Sequence, residues 1–218
     1  MSAAATRIIA VRHGETEWNV AARLQGHLNV ELNEKGRWQA QCLARALANE
    51  PIAAIYTSDL FRALATAQAI AEQSCSASAR PPRPHTDLRE RGFGIFAGQT
   101  YAQIAIDWPE EFRRWHARDP HFIPKGGESL LQVHTRVTNA VNELASQHQG
   151  EQIVLVAHGG VMDVLYRMAT NQVINAPRTW QLGNAAINRL LWTPQALTLV
   201  DWSDTRHLDA ITIDEIDA

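Results

Sequence analysis

The sequence predicts an α/β fold built on a mixed, mostly parallel sheet, and three features carry that prediction. Short apolar runs alternate with amphipathic helical stretches from residue 7 to residue 170. Two of the runs end in a histidine followed by glycine, and the last two are joined by a tight turn.

Residues 7–12 hold Ile8, Ile9, Ala10 and Val11 in one continuous run that stops at Gly14, as in a strand buried on both faces. Asn33 is placed to cap a helix in which Ala40, Leu43, Ala44 and Leu47 recur at helical spacing until Pro51 ends the pattern. A second strand follows at 52–56. Asp59 is then expected to cap a helix whose Leu60, Ala63, Leu64, Ala67, Ile70 and Ala71 form one stripe. Residues 74–84, with three prolines among small polar residues, read as an exposed connection and not a domain boundary. Residues 91–127 mix Tyr101, Trp108, Phe112, Trp115 and Phe122 with Arg113, Arg114 and prolines, a composition for short helices and loops acting as a lid or specificity segment. Ser129 with Gln132 makes a capping box ahead of a helix carrying Leu130, Val133, Val137, Val141 and Leu144. Another buried strand is expected at 152–157, and His158-Gly159-Gly160 turns it into a helix with Val161, Val164, Leu165 and Met168. The chain closes with strands at 185–192 and 197–202, which make the sheet mixed. No repeat of solenoid length is present, so residues 1–218 are read as one domain.

Composition narrows the function classes. Hydrophobic residues make up 45% and charged residues 20% of 218, which fits a globular chain with a sizeable core and argues against disorder or coiled coil. A formal charge of -3 gives no general affinity for nucleic acid or an anionic membrane, so any anion site must be assembled locally. The seven tryptophans lack an accompanying basic stripe and read as core and pocket lining. The longest apolar runs are far short of a membrane span. The start has no basic segment ahead of a hydrophobic one, and Cys42 and Cys75 lack metal-ligand spacing, so free thiols and a cytoplasmic location are expected.

The residues with chemical potential sit just past strands, where open α/β sheets bind ligands. The first strand runs into Arg12-His13-Gly14-Glu15-Thr16, with Asn19 close behind; a histidine beside a guanidinium suits attack on a phosphoryl group. The second leads through Thr57-Ser58-Asp59 to Arg62 in the first turn of a helix. His158 follows the 152–157 strand, and Gly159-Gly160 opens a helix whose free N–H groups favour an anion. Singly, each has an ordinary structural explanation as a turn histidine, a capping arginine or a buried imidazole. Two histidines and two arginines at three strand ends match the charge of a phosphate monoester dianion, whose transfer depends mostly on positioning and electrostatics. No HExxH spacing or Cys/His cluster points to a metal.

The segments RHGETEWN (12–19), LQG (24–26), SDLFRALATA (58–67), LRERGFG (88–94), GGES (126–129) and AHGG (157–160) together resemble the histidine phosphatase superfamily, in the branch that holds cofactor-dependent phosphoglycerate mutases and related phosphatases. The tail, 206–209, also resembles bacterial mutase-like phosphatases, and no role is assigned to it. The resemblance implies a three-layer α/β/α sandwich on a six-stranded sheet. It implies His13 as the nucleophile that becomes phosphohistidine, and Arg12, Arg62 and His158 as ligands of the phosphoryl oxygens. Asn19, Gln25, Gly26 and the Gly159 backbone complete the cradle, and Glu90 serves as proton donor and acceptor. The chain departs from the common pattern at Asn29, Glu31 and Ala97, all on the rim.

The family contains both hydrolases and isomerases. Known mutases carry a long insertion between the catalytic Glu and the second His; the 68-residue interval from Glu90 to His158 resembles the shorter phosphatase form. A metal-independent phosphatase acting on a small phosphorylated metabolite is therefore expected. Against it, Arg113-Arg114 resembles paired arginines that bind substrate carboxylate in mutases, which keeps a phosphoglycerate mutase, primed by 2,3-bisphosphoglycerate, as the alternative. A silent phosphate binder is a second alternative, disfavoured because His13, Glu90 and His158 are all present. Monomer and homodimer both stay open.

Overall fold

The computed structural model describes residues 4–76 and 81–209. Strands β1 (Thr6–Arg12), β2 (Ala54–Thr57), β3 (Arg83–Pro84), β4 (Gln152–Ala157), β5 (Ile187–Thr193) and β6 (Ala196–Asp204) form one sheet in the order β3-β2-β4-β1-β5-β6. β1 and β2 both pair parallel with β4, and β2 pairs parallel with β3. β5 lies antiparallel to β1 and to β6, which gives the mixed sheet.

Alternation along the strands decides which helix each residue meets. Ile8 and Ala10 of β1, with Ile153 and Leu155 of β4, pack on α6 (Leu130–Ser146) and α7 (Gly159–Thr170) through Val137, Val141 and Leu165. Ile9, Val11, Val154 and Val156 face the other way, onto α2 (Glu34–Leu47) and α3 (Phe61–Gln73) through Leu43, Leu47 and Ile70. Both faces are covered, so the central runs of β1 and β4 are continuously apolar and the fold is a three-layer sandwich. The remaining helices are short: α1 (Glu17–Val20), α4 (Tyr101–Asp107) and α5 (Pro109–His116).

β1 and β4 are neighbours, yet the chain leaves β1 toward α2 and β4 toward α7, on opposite faces of the sheet. Their carboxyl ends therefore bracket a crevice at a topological switch point. One close approach shapes it. A Cβ on Gly14 would meet the Gly36 carbonyl oxygen, and one on Gly36 would meet Glu15, so the first turn of α2 packs directly on the backbone after β1.

Several local expectations are corrected. Asp59 does not cap α3: both its oxygens go to the Arg89 guanidinium, and the Phe61 amide donates to Asn29 Oδ1 at 3.1 Å instead. The 74–84 connection contains the edge strand β3, whose register comes from pairing with β2, while residues 77–80 lie outside the described part. The final strands run 187–193 and 196–204: the first starts two residues later than expected, and the second is longer at both ends. Asn33 and Ser129 cap α2 and α6 as expected. Cys42 is buried, Cys75 exposed, and they are not linked. Residues 1–3, part of the start read for a leader, are outside the described residues; among those described, no helix is long and apolar enough to cross a membrane.

Candidate active site

His13 follows β1 and is 3% exposed; His158 follows β4 and is fully buried. Their ring centroids stand 5.1 Å apart. His13 Nδ1 lies 2.7 Å from the carbonyl oxygen of Gly14, which can only accept, so Nδ1 carries the proton. Nε2 is thus the lone-pair nitrogen, and it accepts from Arg62 Nε at 3.2 Å. Burial first, then Arg62 and Arg12, hold the His13 pKa well below the usual imidazole value. Burial, Arg62, His13 and Arg12 do the same for His158. Both rings are neutral near pH 7, and the guanidiniums around them repel a metal cation from this donor pair.

Arg62, 1% exposed in the first turn of α3, is braced by the carbonyls of Leu28 and Gly26, each at 2.8 Å. Burial lowers its pKa to about 10, with Glu90 opposing and Arg12 adding to the shift, so it stays charged. Gly26, with φ +53°, supports Arg62 through its carbonyl. Arg12 donates through Nη1 to the Leu182 carbonyl, while its buried Nε has no partner among the described residues. Neither ring nitrogen of His158 has one either. Buried donors in this state cost stability unless a ligand meets them. Gln25 is held by Nε2 donating to Thr16 Oγ1 at 2.8 Å. Asn19 uses Oδ1 to accept from the Thr16 amide, closing the α1 capping box.

Glu90 is fixed by backbone amides. Gly160 N–H donates to its Oε1 and Oε2 at 3.0 and 3.2 Å, and Arg91 N–H donates to Oε1 at 2.8 Å. A Cβ on Gly159 would stand 3.7 Å from Glu90 Oε2 and 3.8 Å from Arg12 Nε, which locates that glycine beside both. Arg12, His13, Asn19, Gln25, Arg62, Glu90 and Gly159 all line one cleft of ≈ 610 Å³. Its far wall comes from the 91–127 segment: Phe93, Tyr101 and Trp115 line it, with Tyr101 stacked on Trp115 at 4.9 Å.

Arg113 and Arg114 are not part of this cleft. Arg113 pairs with Glu110, and Arg114 pairs with Asp119 and lies over the Phe122 ring. The structure also brings in residues that the sequence left unassigned. Arg136 of α6 donates to the backbone carbonyls of Asp87, Arg89 and Glu90 while paired with Glu128, and Glu128 accepts from the Gly92 amide. This frame holds the turn that carries Glu90. The signal was present in GGES, whose Glu128 had no role, and in a charged residue lying beside the buried Val133 and Val137. Asn184 donates to the His13 carbonyl at 2.9 Å, and the Ala185 amide donates to that of Arg12 at 2.9 Å.

Comparison with known proteins agrees with this architecture. Phosphoglycerate mutase-like protein 4 of Arabidopsis thaliana is 40% identical over 205 residues, covering 93% of this chain and 86% of that protein. The metal-independent phosphoserine phosphatase of the same plant is 37% identical over 210 residues, covering 94% and 84%. Phosphoserine phosphatase from Entamoeba histolytica, solved in complex with 3-phosphoglyceric acid, superposes with a TM-score of 0.82 at 26% identity, covering 93% of this chain and 99% of that one. The sequence profile of the histidine phosphatase superfamily (branch 1) matches residues 8–205, and the chain belongs to that superfamily.

Proposed function

We propose that the chain, acting as one domain, is a metal-independent phosphomonoesterase that works through phosphohistidine on His13. It is a member of a phosphatase superfamily, and the relatives named as phosphatases support hydrolysis over transfer. The observation that carries the reading is the tautomer of His13: Nδ1–H donates to the Gly14 carbonyl, leaving Nε2 unprotonated beside Arg12 Nε and the His158 ring nitrogens, which have no partner among the described residues.

In this reading the substrate phosphoryl group lies between His13, His158, Arg12 and Arg62. His13 Nε2 attacks phosphorus, the ester P–O bond breaks, and protonated Glu90 delivers its proton to the leaving alkoxide. Arg12, Arg62 and neutral His158 donate to the equatorial oxygens as charge redistributes. Water then attacks the phosphohistidine, Glu90 takes its proton, the P–N bond breaks and inorganic phosphate leaves with His13 restored. Asn19, Gln25 and the Gly159 backbone line the same cradle, and Gly26 contributes by holding Arg62. The 91–127 segment is the specificity wall, and the substrate is a small phosphorylated metabolite.

A mutase must enclose its phosphoenzyme from water. Here the segment expected to enclose the site builds two helices of seven and eight residues, and Arg178 on the rim is exposed. Phosphate release from a panel of monoesters in excess chelator, with His13→Ala in parallel and isomer products followed in the same samples, tests the proposal. Release that depends on His13 is expected; isomerisation of 3-phosphoglycerate without release overturns it in favour of a mutase.

A further inference from the structure

Helix α7 does more than begin at the phosphoryl site. Gly159, Gly160, Asp163 and Arg167 follow one another along one face of it, and all four line the cleft. Asp163 therefore stands one helical turn, about 5.4 Å, beyond the glycines beside Arg12 and Glu90.

Asp163 is only 7% exposed, and its two oxygens are used differently. Oδ2 accepts from Arg118 Nη2 at 2.8 Å and from Arg167 Nε at 3.0 Å. Arg167 is in turn tied to the carbonyls of Val173 and Ala176, and Arg118 to that of Ile174, so the carboxylate cannot swing. Oδ1 is buried and accepts from no group of the described residues. A buried carboxylate oxygen without a donor carries a desolvation cost that a structural ion pair would not need, since both oxygens could have been matched to two guanidiniums.

We infer that Asp163 is a specificity-determining residue, whose Oδ1 accepts a hydrogen bond from an O–H or N–H group carried by the leaving group near the ester oxygen. Arg118 and Arg167 act as positioning residues that hold Oδ1 toward the cleft. The inference rests on the phosphatase reading of the site and adds to it a selection among esters. A monoester lacking that donor leaves Oδ1 unmatched when it seals the cleft, and is turned over more slowly for that reason.

The test is phosphate release in excess chelator from three esters that share a skeleton and differ on one carbon: 3-phosphoglycerate with a hydroxyl, O-phosphoserine with an ammonium and 3-phosphooxypropanoate with hydrogen. Phenyl phosphate is assayed alongside, and wild type is compared with Asp163→Asn. In that variant the amide oxygen remains on the arginines and the NH₂, a donor, turns to the cleft. Wild type is expected to favour at least one donor-bearing ester by about tenfold or more in kcat/KM over 3-phosphooxypropanoate, and Asp163→Asn to lower that ratio by about tenfold. Which ester falls identifies hydroxyl or ammonium as the source. Near-UV circular dichroism checks folding, and Asp163→Glu, which keeps the charge and moves the oxygen by one methylene, replaces an unfolded Asn variant. A wild-type ratio near one for both donors, or a ratio unchanged by substitution in a folded protein, overturns the inference while His13-dependent release keeps the phosphatase reading. No release from any ester, or release that survives His13→Ala, overturns both.

Discussion

The backbone amide of Gly160 donates to both carboxylate oxygens of Glu90, so the helix that begins beside His158 also fixes the group that would move protons in the same cleft. Any side chain at 160 intrudes on that contact: a Cβ there would run into Glu90 Oε1. Gly160→Ala is therefore expected to displace the carboxylate and lower kcat by about 10²-fold, the scale of a 1 Å misplacement. Alanine is the better helix former, so the melting temperature should not fall with it. Steady-state kinetics with a thermal melt check this; full activity in Gly160→Ala would show that Glu90 has no need of that position.

The guanidiniums give a second expectation. Arg12→Ala and Arg62→Ala should each cost about 10² to 10³ in kcat, the loss typical of one transition-state donor. Arg62→Lys should not rescue, because one ammonium cannot span the Gly26 and Leu28 carbonyls and still reach His13. Turnover of Arg62→Lys within a few-fold of wild type would contradict the role given to its fork.

Neutral buried histidines set a pH dependence. The pKa values of His13 and His158 are lowered in the fold, so as pH drops through about 6.5 the unfolded chain gains protons that the folded chain does not bind. Their contribution to stability is therefore complete above that pH. It is lost below it, at up to about 1.4 kcal/mol per pH unit for each histidine, until the folded pKa is reached. Nitrogen-15 NMR of the imidazoles should show both rings neutral at pH 6, with His13 protonated on Nδ1. Titration of either at or above 6.5 would contradict the account.

Close packing after β1 predicts a stability effect. Gly14→Ala must push the 13–15 backbone off the first turn of α2, an overpacking cost of about 1–3 kcal/mol. In a chain of this size that lowers the melting temperature by several degrees, which calorimetry reads directly. An unchanged melt would mean that the two segments separate at no cost.

Much of this could be read from the residues, because strands buried on both faces are continuous apolar runs and helix starts carry their own caps. Ile8–Val11, the 152–157 run, Asn33 and the Ser129–Gln132 box all work that way. The failures share a physical cause. Asp59 was a good local cap, but Arg89 offered it a two-point charged partner 30 residues away, and Asn29 was close enough to replace it. β3 is two residues long and exists through its pairing with β2. The motif residues at the strand ends converge as the topology requires. By contrast Asn184 acts on His13 through a contact 171 residues away, and Asp163 meets Arg118 across 45 residues, which no local pattern records. Arg113-Arg114 shows the reverse: a local pair that suggested a ligand site and instead forms ion pairs outside the cleft.

The central claim is that phosphoryl transfer passes through His13. The most direct test is the stereochemical course at phosphorus, followed with a monoester made chiral by oxygen isotopes and hydrolysed in isotopically labelled water. Two in-line displacements, first by His13 Nε2 and then by water, predict net retention of configuration. Net inversion would mean that water attacks the ester directly, and would contradict the account.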